Sequence, residues 1–310
     1  MLSRYRLDPE IAAVLEPMAA SAGEAPPIER GDWRALRERA NTNLAFLATL
    51  NPPVSGAVSV QPLQITVDDG TDIAARWYKR GNEMPGSAVV YAHGGGMIAG
   101  NLDVYDAVVA EYVAATGVPF LSVAYRLGPA RDVFAAVQWL SDLASELGVE
   151  PNRIAVMGDS GGGGVAASAA IIARDLGVGL ARQILIYPML DDRTLDAGAV
   201  APFLTWTSDM NFTGWSARLG EQFGADGVLP ASAPARLTNF RGLAPAYIEV
   251  GDLDIFRSES VSYAQQLAAA DVPIELHVHP GAPHGFERFA PASQLAQRAM
   301  EDRKRAIRSL

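Results

Sequence analysis

The pattern of apolar and polar positions changes twice along the chain. The first fifty residues repeat with a helical period in two segments, PEIAAVLEPMAA and GDWRALRERANTNLAFLATL, with a Pro/Gly break between them at Gly23 to Pro27. From Leu63 the period becomes two, in the segments LQITVDD and TDIAARWYKR, which are joined at Asp69-Gly70. Alternation on both sides of a turn sequence predicts a β-hairpin.

Beyond the hairpin, apolar runs alternate with helical segments. The runs rich in Val, Ile and Leu are SAVVYAH, PFLSVAYRL, RIAVMGD, RQILIYPML, APAYIEVGD and PIELHVHP. The helical segments are VYDAVVAEYVAAT, DVFAAVQWLSDLASEL, GGVAASAAIIARDL and the C-terminal ASQLAQRAMEDRKRAIRSL. Continuous apolar strands that alternate with helices are typical of a parallel sheet covered on both faces. The sequence therefore predicts an α/β fold with a mostly parallel central sheet.

The stretch from Asp191 to about Leu237 interrupts this alternation. It is longer than a usual connection between two strands and contains the aromatic residues Phe203, Trp206, Phe212, Trp215 and Phe223. We predict that it packs with the N-terminal helices as a cap. The chain 1–310 is then a single domain with a cap from 1–50 and 191–237 and a catalytic core from 51–190 and 238–310. The aromatic residues either line a pocket or anchor the cap, and the sequence leaves both open.

Composition narrows the possible partners. The 310 residues are 49% apolar and 19% charged, which is an ordinary globular balance. The net charge of −10 argues against nucleic acid or an anionic membrane surface as the partner. The absence of cysteine excludes disulfides and a thiol nucleophile. No apolar run resembles a signal peptide or a membrane span, so we expect a cytoplasmic protein.

The segment RIAVMGDSGGGGVAA contains the first candidate for chemistry, Ser160. Its pentapeptide GDSGG matches both a trypsin-like protease and the G-x-S-x-G elbow of an α/β-hydrolase. The elbow requires a strand before the serine and a helix after it, and both are predicted here. A trypsin-like protease is all β, with its histidine and aspartate before the serine. Here only His93 precedes Ser160, so the hydrolase elbow is favoured.

A serine nucleophile needs a base and a carboxylate that orients the base. His284 follows the last predicted strand in PGAPHGFE, and the end of AYIEVGDLDIF offers Asp252 and Asp254. Because the carboxyl ends of parallel strands meet at one edge of a sheet, these groups can converge on Ser160. The glycines of YAHGGGMIAG follow the neighbouring strand and can direct backbone N–H groups at a substrate carbonyl oxygen.

Other polar residues in these motifs are expected to be structural. Asp159 is expected to tie down the serine turn, and His93 to hold the glycine loop by hydrogen bonding. His277 and His279 alternate with apolar residues on one strand, so they share a face. Because no further metal ligand is apparent nearby, we interpret that face as solvated rather than as a metal site.

The motifs HGGGMIAGNLDVYD, SVAYRL, GDSGGG, YPMLDD, VGDLDIFRSE and PGAPHGF occur in the order found in one family. Over about residues 63–289, the chain resembles the hormone-sensitive-lipase-like α/β-hydrolases, the bacterial family IV esterases. The resemblance implies the α/β-hydrolase fold with a helical cap. It also implies a serine carboxylesterase that cleaves short- to medium-chain carboxylic esters through an acyl-enzyme, without a cofactor or metal. Many members form homodimers through the last strand.

The resemblance also assigns roles to residues. It implies a catalytic triad of Ser160, Asp254 and His284, because the family pattern D-P-L-R-D-E falls on 254–259; Asp252 is the runner-up. The implied oxyanion hole consists of the backbone N–H groups of Gly94, Gly95 and Gly161.

Two departures from the family pattern affect the oxyanion side. The family usually has alanine where this chain has Gly161, and we expect the glycine to loosen the elbow. The segment Pro129-Ala130-Arg131-Asp132 replaces a longer E-H-P-F-P-A-type segment, so the local loop should differ. The alternative functions are a ligand-binding hydrolase fold that has lost catalysis and an acyltransferase. The first is disfavoured because no triad residue is missing.

Overall fold

A single mixed sheet forms the centre of the computed structural model, which describes residues 5–21, 26–50, 56–82, 85–127 and 130–310. Within these ranges the sheet has eight strands in the order β1-β2-β4-β3-β5-β6-β7-β8. The strands are β1 Val58–Thr66, β2 Asp72–Arg80, β3 Gly86–Ala92, β4 Phe120–Val123, β5 Val149–Asp159, β6 Arg182–Ile186, β7 Ala246–Gly251 and β8 Ile274–His279.

Ten α-helices belong to the described part of the chain. They are α1 Pro9–Ser21, α2 Trp33–Thr49, α3 Leu102–Thr116, α4 Arg131–Asp142, α5 Ala144–Leu147, α6 Gly161–Asp175, α7 Ser208–Leu219, α8 Arg257–Ala269, α9 Phe286–Phe289 and α10 Gln294–Arg308. The segment predicted as one helix from Asp132 is interrupted at Leu143, which separates α4 from α5. None of these helices is both long and apolar enough to cross a membrane.

The sheet confirms the predicted fold class. Strand β2 is antiparallel to β1 and to β4, and the predicted hairpin turns at Gly70, where φ is +80°. All pairings from β4 through β3 to β8 are parallel. The connections β3–α3–β4 and β4–α4–β5 run in opposite directions along the sheet. Right-handed crossovers therefore place α3 and α4 on opposite faces.

Coverage of both faces explains the continuous apolar runs. Val89, Val156, Ile184 and Ile248, one from each of four central strands, are completely inaccessible to solvent. A half-exposed strand would alternate apolar with polar residues, whereas a strand covered on both sides does not. The same packing brings the carboxyl ends of β3, β5, β7 and β8 to one edge, where the predicted site residues lie.

The N-terminal helices pack against the insertion between β6 and β7. The backbone N–H of Gly31 donates to Thr213 Oγ1 at 2.9 Å, and the Arg30 guanidinium lies 4.0 Å from the centre of the Phe212 ring. The two ends of the insertion are joined by Asp192 and Arg236, whose carboxylate and guanidinium form two hydrogen bonds of 2.8 Å. The division of the chain into cap and core domains stays a prediction.

The segment that departs from the family pattern after Leu127 falls partly outside the described residues, because 128–129 are not among them. Immediately beyond, Asp132 is fully buried at the start of α4. Its carboxylate accepts hydrogen bonds from the Arg126 backbone N–H at 2.8 Å and from the Arg126 guanidinium at 2.7 Å. Arg126 also contacts Asp69 in the hairpin turn at 2.6 Å. This arginine therefore ties the start of α4 to the hairpin.

Candidate active site

Ser160 occupies a sharp turn between β5 and α6. Its φ of 57° and ψ of −124° lie in a region that non-glycine residues rarely adopt, so the turn is strained. The backbone is held by Ser160 N–H donating to the Ile186 carbonyl at 2.9 Å and by the Ser160 carbonyl accepting from Met189 N–H at 3.0 Å. A Cβ on Gly158 would stand 2.2 Å from the Gly162 carbonyl oxygen, so the turn admits only glycine there.

The structure brings together the three side chains that the resemblance assigned to a triad. The distance between His284 Nε2 and Ser160 Oγ is 2.9 Å, and that between His284 Nδ1 and Asp254 Oδ2 is 2.7 Å. Asp254 is buried, and its second oxygen accepts a hydrogen bond from Phe256 N–H at 2.9 Å. Because a carboxylate only accepts, Nδ1 carries the proton and Nε2 is free to accept the Ser160 hydroxyl proton.

The second candidate acid, Asp252, has a different set of contacts. Its Oδ1 accepts a hydrogen bond from Gly281 N–H at 2.7 Å, and its carbonyl accepts one from the Arg257 guanidinium at 2.9 Å. Asp252 therefore anchors the loop that leads to His284, whereas Asp254 contacts the imidazole. The geometry favours Asp254 as the orienting acid.

Aromatic rings fix the orientation of the imidazole. The Tyr187 ring lies edge-on to His284 with 4.6 Å between ring centres, and Phe256 packs in the same manner at 5.1 Å. Burial raises the pKa of Tyr187 well above its ordinary value, so its phenol stays protonated and donates to Glu287. Glu287 is in turn held by Arg303 at 3.0 Å. Tyr187 begins the YPMLDD motif, but the sequence alone predicts no role for it.

The glycine loop after β3 turns towards Ser160. Gly95 and Gly96 have φ values of 128° and 60°, and both line the cavity above the serine. Their N–H groups donate to no carbonyl in the described residues. Gly161 is the first residue of α6, where an N–H has no partner within the helix. These N–H groups lie around Ser160 and are the candidate donors to a substrate oxygen.

Gly94 is placed differently from the sequence expectation. Its carbonyl oxygen lies 2.9 Å from His93 Nδ1, and a Cβ at this position would stand 2.6 Å from the Tyr105 hydroxyl. Gly94 is not part of the cavity wall, whereas Gly96 is. The placement therefore favours Gly96 over Gly94 as a partner of Gly95 and Gly161.

His93 contacts the glycine loop, and Asp159 lies directly before the serine turn. Burial lowers the pKa of His93, so the ring is neutral and its Nδ1 donates to the Gly94 carbonyl. The His93 carbonyl accepts from the Tyr125 hydroxyl at 2.7 Å. Asp159 is buried and accepts hydrogen bonds from the hydroxyls of Tyr91 and Tyr105, the latter at 2.9 Å. Both residues have the structural contacts that the sequence analysis expected.

A cavity of about 400 Å³ opens from Ser160 and His284 towards α1, α2 and α7. Most of its wall is apolar, with side chains that include Leu15, Met18, Leu36, Leu44, Leu47, Trp206 and Met210. Of the insertion's aromatic residues, only Trp206 is part of this wall. Phe212 and Phe223 instead pack edge-on at 5.1 Å, and Trp215 is fully buried. Both interpretations of the aromatic residues thus apply, each to different residues.

The histidines of β8 do not share one solvated face as expected. His279 is buried, with its Nε2 at 3.8 Å from Glu249, so the expectation is wrong for this residue. His277 Nε2 lies 2.6 Å from Glu275 Oε1, and together with Asp302 they place three ligand-type atoms within 4.8 Å of one another. Arg305 already pairs with both carboxylates, so one positive charge offsets part of their negative charge.

Comparison with known proteins identifies the family and the fold. A family described as alpha/beta hydrolase fold matches residues 89–288. The carboxylesterase NlhH of Mycobacterium tuberculosis is 31% identical, over 99% of this chain and 98% of that protein. An ethyl acetate hydrolase of Pseudomonas putida is 28% identical, over 95% and 96% of the two chains. The structure of a bacterial heroin esterase matches with a TM-score of 0.87 and 31% identity, over 98% and 97%.

The fold and the serine turn define an α/β-hydrolase. Within that class, the chain belongs to the hormone-sensitive-lipase-like family, which confirms the resemblance drawn from its motifs.

Proposed function

We propose that this protein is a serine carboxylesterase that hydrolyses short- to medium-chain carboxylic esters through an acyl-enzyme intermediate. The observation that carries the proposal is the unbroken hydrogen-bond chain from Ser160 Oγ through His284 to Asp254, at the floor of an apolar cavity. Relatives named carboxylesterase and ethyl acetate hydrolase, which align over nearly the whole chain, support the choice of esters.

In the first half of the reaction, Ser160 Oγ attacks the ester carbonyl carbon while His284 Nε2 accepts its proton. Asp254 holds the imidazole in the required tautomer and stabilises the imidazolium that forms. The N–H groups of Gly95, Gly96 and Gly161 stabilise the oxyanion; one such donor contributes about 3–4 kcal/mol to transition-state stabilisation. The intermediate then expels the alcohol, which takes its proton from His284.

In the second half, water attacks the acyl-enzyme. His284 accepts a proton from the water, the oxyanion forms again at the same N–H groups, and collapse breaks the bond to Ser160 Oγ. The products are the carboxylic acid and the regenerated serine. His284 carries out every proton transfer in this scheme, so the proposed mechanism requires no cofactor or metal.

The apolar wall of the cavity supports the substrate class. Each methylene group transferred from water to an apolar surface contributes about 0.8 kcal/mol, so an alkyl chain gains affinity along this wall. An acyltransferase would use the same acyl-enzyme but deliver it to an alcohol. A ligand-binding protein without catalysis is disfavoured because both hydrogen bonds of the serine–histidine–aspartate chain are formed.

Release of nitrophenol from 4-nitrophenyl butyrate tests the proposal, without any added cofactor. We expect the wild type to be active and Ser160→Ala to be inactive. Ser168→Ala is the matched control, because Ser168 Oγ on the same helix has no hydrogen-bond partner among the described residues. A phosphonate should label Ser160 and no other serine. Retention of the rate by Ser160→Ala refutes the mechanism, and alkyl ester formed in added alcohol favours the acyltransferase.

A homodimer through the last strand stays a prediction. Strand β8 is one edge of the sheet, so one side of its backbone is unpaired within the described part of the chain. Ile274 and Val278 on this strand are large apolar residues exposed to solvent. An exposed apolar edge strand is suited to pairing with a second chain.

A further inference from the structure

Arg288 lies beside the catalytic side chains. It belongs to the short helix α9, four residues after His284, and it forms part of the cavity wall together with Ser160, His284 and Tyr105. Its guanidinium stacks on the Tyr105 ring, with 4.4 Å between Cζ and the ring centre. This arginine is therefore held in a fixed place at the site where the ester must bind.

The guanidinium of Arg288 has no hydrogen-bonded counter-ion among the described residues. Its Nε and Nη2 atoms are buried and make no hydrogen bond. The nearest carboxylate along this wall, Asp159, is already engaged by the hydroxyls of Tyr91 and Tyr105. A buried charge without a partner is costly, and stacking on one aromatic ring offsets only part of that cost.

Arg218 is a second arginine with a buried, unpartnered nitrogen among the described residues, whereas two other arginines with little exposure are paired with carboxylates. Arg303 is paired with Glu249 and Glu287, and Arg236 forms two hydrogen bonds with Asp192. Arg288 differs from both because it forms no hydrogen bond with a carboxylate in the described residues and is part of the wall of a cavity large enough for a ligand.

The charges around the cavity also favour an anion. The charged side chains in its wall are Arg39, Arg288 and Asp159, and the aspartate is satisfied by its two tyrosines. The net charge of −10 belongs to the whole chain and does not describe this local surface. Nη1 of Arg288 is not among its inaccessible nitrogens, so this group can donate a charge-assisted hydrogen bond to a carboxylate oxygen.

Arg288 also borders a second cavity, of about 330 Å³, on the other side of Asp159. The three glutamates in its wall are already paired with cations, Glu287 with Arg303, and Glu111 and Glu301 with Lys304. The cavity that contains Ser160 has no glutamate in its wall. Of these two cavities, only the one that contains Ser160 and His284 can hold the reacting ester, so a carboxylate of a bound ester would reach Arg288 from this side.

We infer that Arg288 binds a carboxylate of the substrate, so that the preferred esters carry one free carboxylate group in the acyl or the alcohol part. The inference rests on the esterase function proposed above and narrows its substrate class. The acid product of any ester also carries a carboxylate, but it forms at Ser160; the substrate carboxylate proposed here lies at a distance from the scissile bond.

Paired esters that differ only in this charge test the inference. For the acyl part, the pair is 4-nitrophenyl hydrogen adipate and the terminal amide of the same length. For the alcohol part, it is 4-acetoxybenzoate and 4-acetoxybenzamide. The measured quantity is the ratio of kcat/KM for the acid to that for the amide at neutral pH. We expect Arg288→Met to lower this ratio at least about tenfold in one pair, as the loss of a charge-assisted hydrogen bond predicts.

Arg34→Met is the matched control, because Arg34 stacks on Trp33 as Arg288 stacks on Tyr105 but is exposed outside the cavity. Its ratio should equal that of the wild type. The amide rates report whether the Arg288 variant is folded, and Arg288→Gln serves the same comparison if the methionine variant is inactive. An unchanged ratio in both pairs, with both rates lowered equally, overturns the inference and assigns Arg288 a structural role.

Failure of the proposed function is distinguished by a binding experiment. Calorimetry on Ser160→Ala with monomethyl adipate measures carboxylate binding without turnover. We expect the added Arg288→Met change to weaken this binding about tenfold or more. If Ser160→Ala still hydrolyses esters, the mechanism is wrong, and the acid-to-amide ratios of kcat/KM still test the carboxylate site. If the affinity is unaffected by Arg288→Met, the carboxylate site is wrong whatever the mechanism.

Discussion

Gly161 packs directly against the backbone of Met97. A Cβ on Gly161 would stand 2.6 Å from the Met97 amide nitrogen and 3.0 Å from that of Gly96. Met97 itself has a φ of 61°, which is uncommon for a residue with a side chain. The missing side chain at 161 thus allows the start of α6 and the glycine loop to approach each other, and their free N–H groups to converge.

This contact predicts that Gly161→Ala lowers kcat, although alanine is usual in the family at this position. The added methyl group would displace Met97 and with it the adjacent Gly96, because a contact of 2.6 Å to a backbone atom cannot be relieved by a side-chain rotation. Loss of one oxyanion donor lowers kcat by about 10²- to 10³-fold, so a misplaced donor should lower kcat by up to this factor. The rate with 4-nitrophenyl butyrate measures the effect.

Gly179→Ala provides the control for that substitution. Gly179 is exposed, and a Cβ there would meet no atom within 4 Å, so its rate should equal that of the wild type. If Gly161→Ala is as active as Gly179→Ala, the loop is not held by this contact.

The same residue shows a limit of sequence reasoning. From the sequence, Gly161 is expected to loosen the elbow, because glycine gives the backbone more freedom. The structure shows close packing instead, since the distance to Met97 depends on how two separate segments meet. For the same reason, the sequence could not show whether Gly94 or Gly96 contributes an N–H group to the cavity. Three identical adjacent letters do not show where the chain turns, and the turn decides which N–H groups reach the cavity.

The convergence of Ser160, Asp254 and His284 was predictable for a general reason. Each residue follows a strand that the apolar runs identify, and parallel strands bring their carboxyl ends to one edge of the sheet. The position of Arg288 was not predictable in this way. Nothing in PGAPHGFERF distinguishes it from a surface arginine, because its burial depends on packing against Tyr105, from a distant part of the chain.

The contacts of the two aspartates after β7 predict very different effects of removing their charge. Asp254→Asn should lower kcat by about 10⁴-fold, because an amide favours the wrong imidazole tautomer and does not stabilise the imidazolium that forms in the reaction. Asp252→Asn should remain close to the wild type, since an amide oxygen still accepts the hydrogen bond from Gly281 N–H. Parallel kinetic measurements on the two variants, with melting curves to confirm folding, compare them. A larger loss in Asp252→Asn would reverse the assignment of the acid.

Removal of the cation from the ion pair between Asp192 and Arg236 should strongly lower the free energy of unfolding. Asp192 is fully buried, so Arg236→Met leaves a carboxylate without its cation, which costs about 3–5 kcal/mol of the free energy of unfolding. The neighbouring pair of Arg193 and Asp191 is more exposed, and Arg193→Met should cost about 0–1 kcal/mol. Urea unfolding of both variants measures the difference. Equal costs would show that the buried pair does not stabilise the insertion.

Glu259 predicts how stability changes with pH. Burial raises the pKa of Glu259 well above its ordinary value of 4.5, although its carboxylate accepts hydrogen bonds from Leu190 N–H and the Thr194 hydroxyl. The folded protein then binds this proton more tightly than the unfolded chain does. The free energy of unfolding therefore falls as the pH rises from 4.5 to the raised pKa of the folded protein, and it stops falling above that pKa. The slope is at most about 1.4 kcal/mol per pH unit.

Glu259→Gln should therefore remove this part of the pH dependence and make the protein more stable at neutral pH. The amide oxygen still accepts from Leu190 N–H and the amide nitrogen can donate to Thr194, so packing is retained without a buried charge. Glu38→Gln on the exposed face of α2 is the control and should leave the slope unchanged. Urea unfolding at several pH values from 4.5 upwards measures both slopes. A Glu259→Gln variant that is less stable at neutral pH, with an unaltered slope, would mean that the ionised carboxylate is accommodated at no cost.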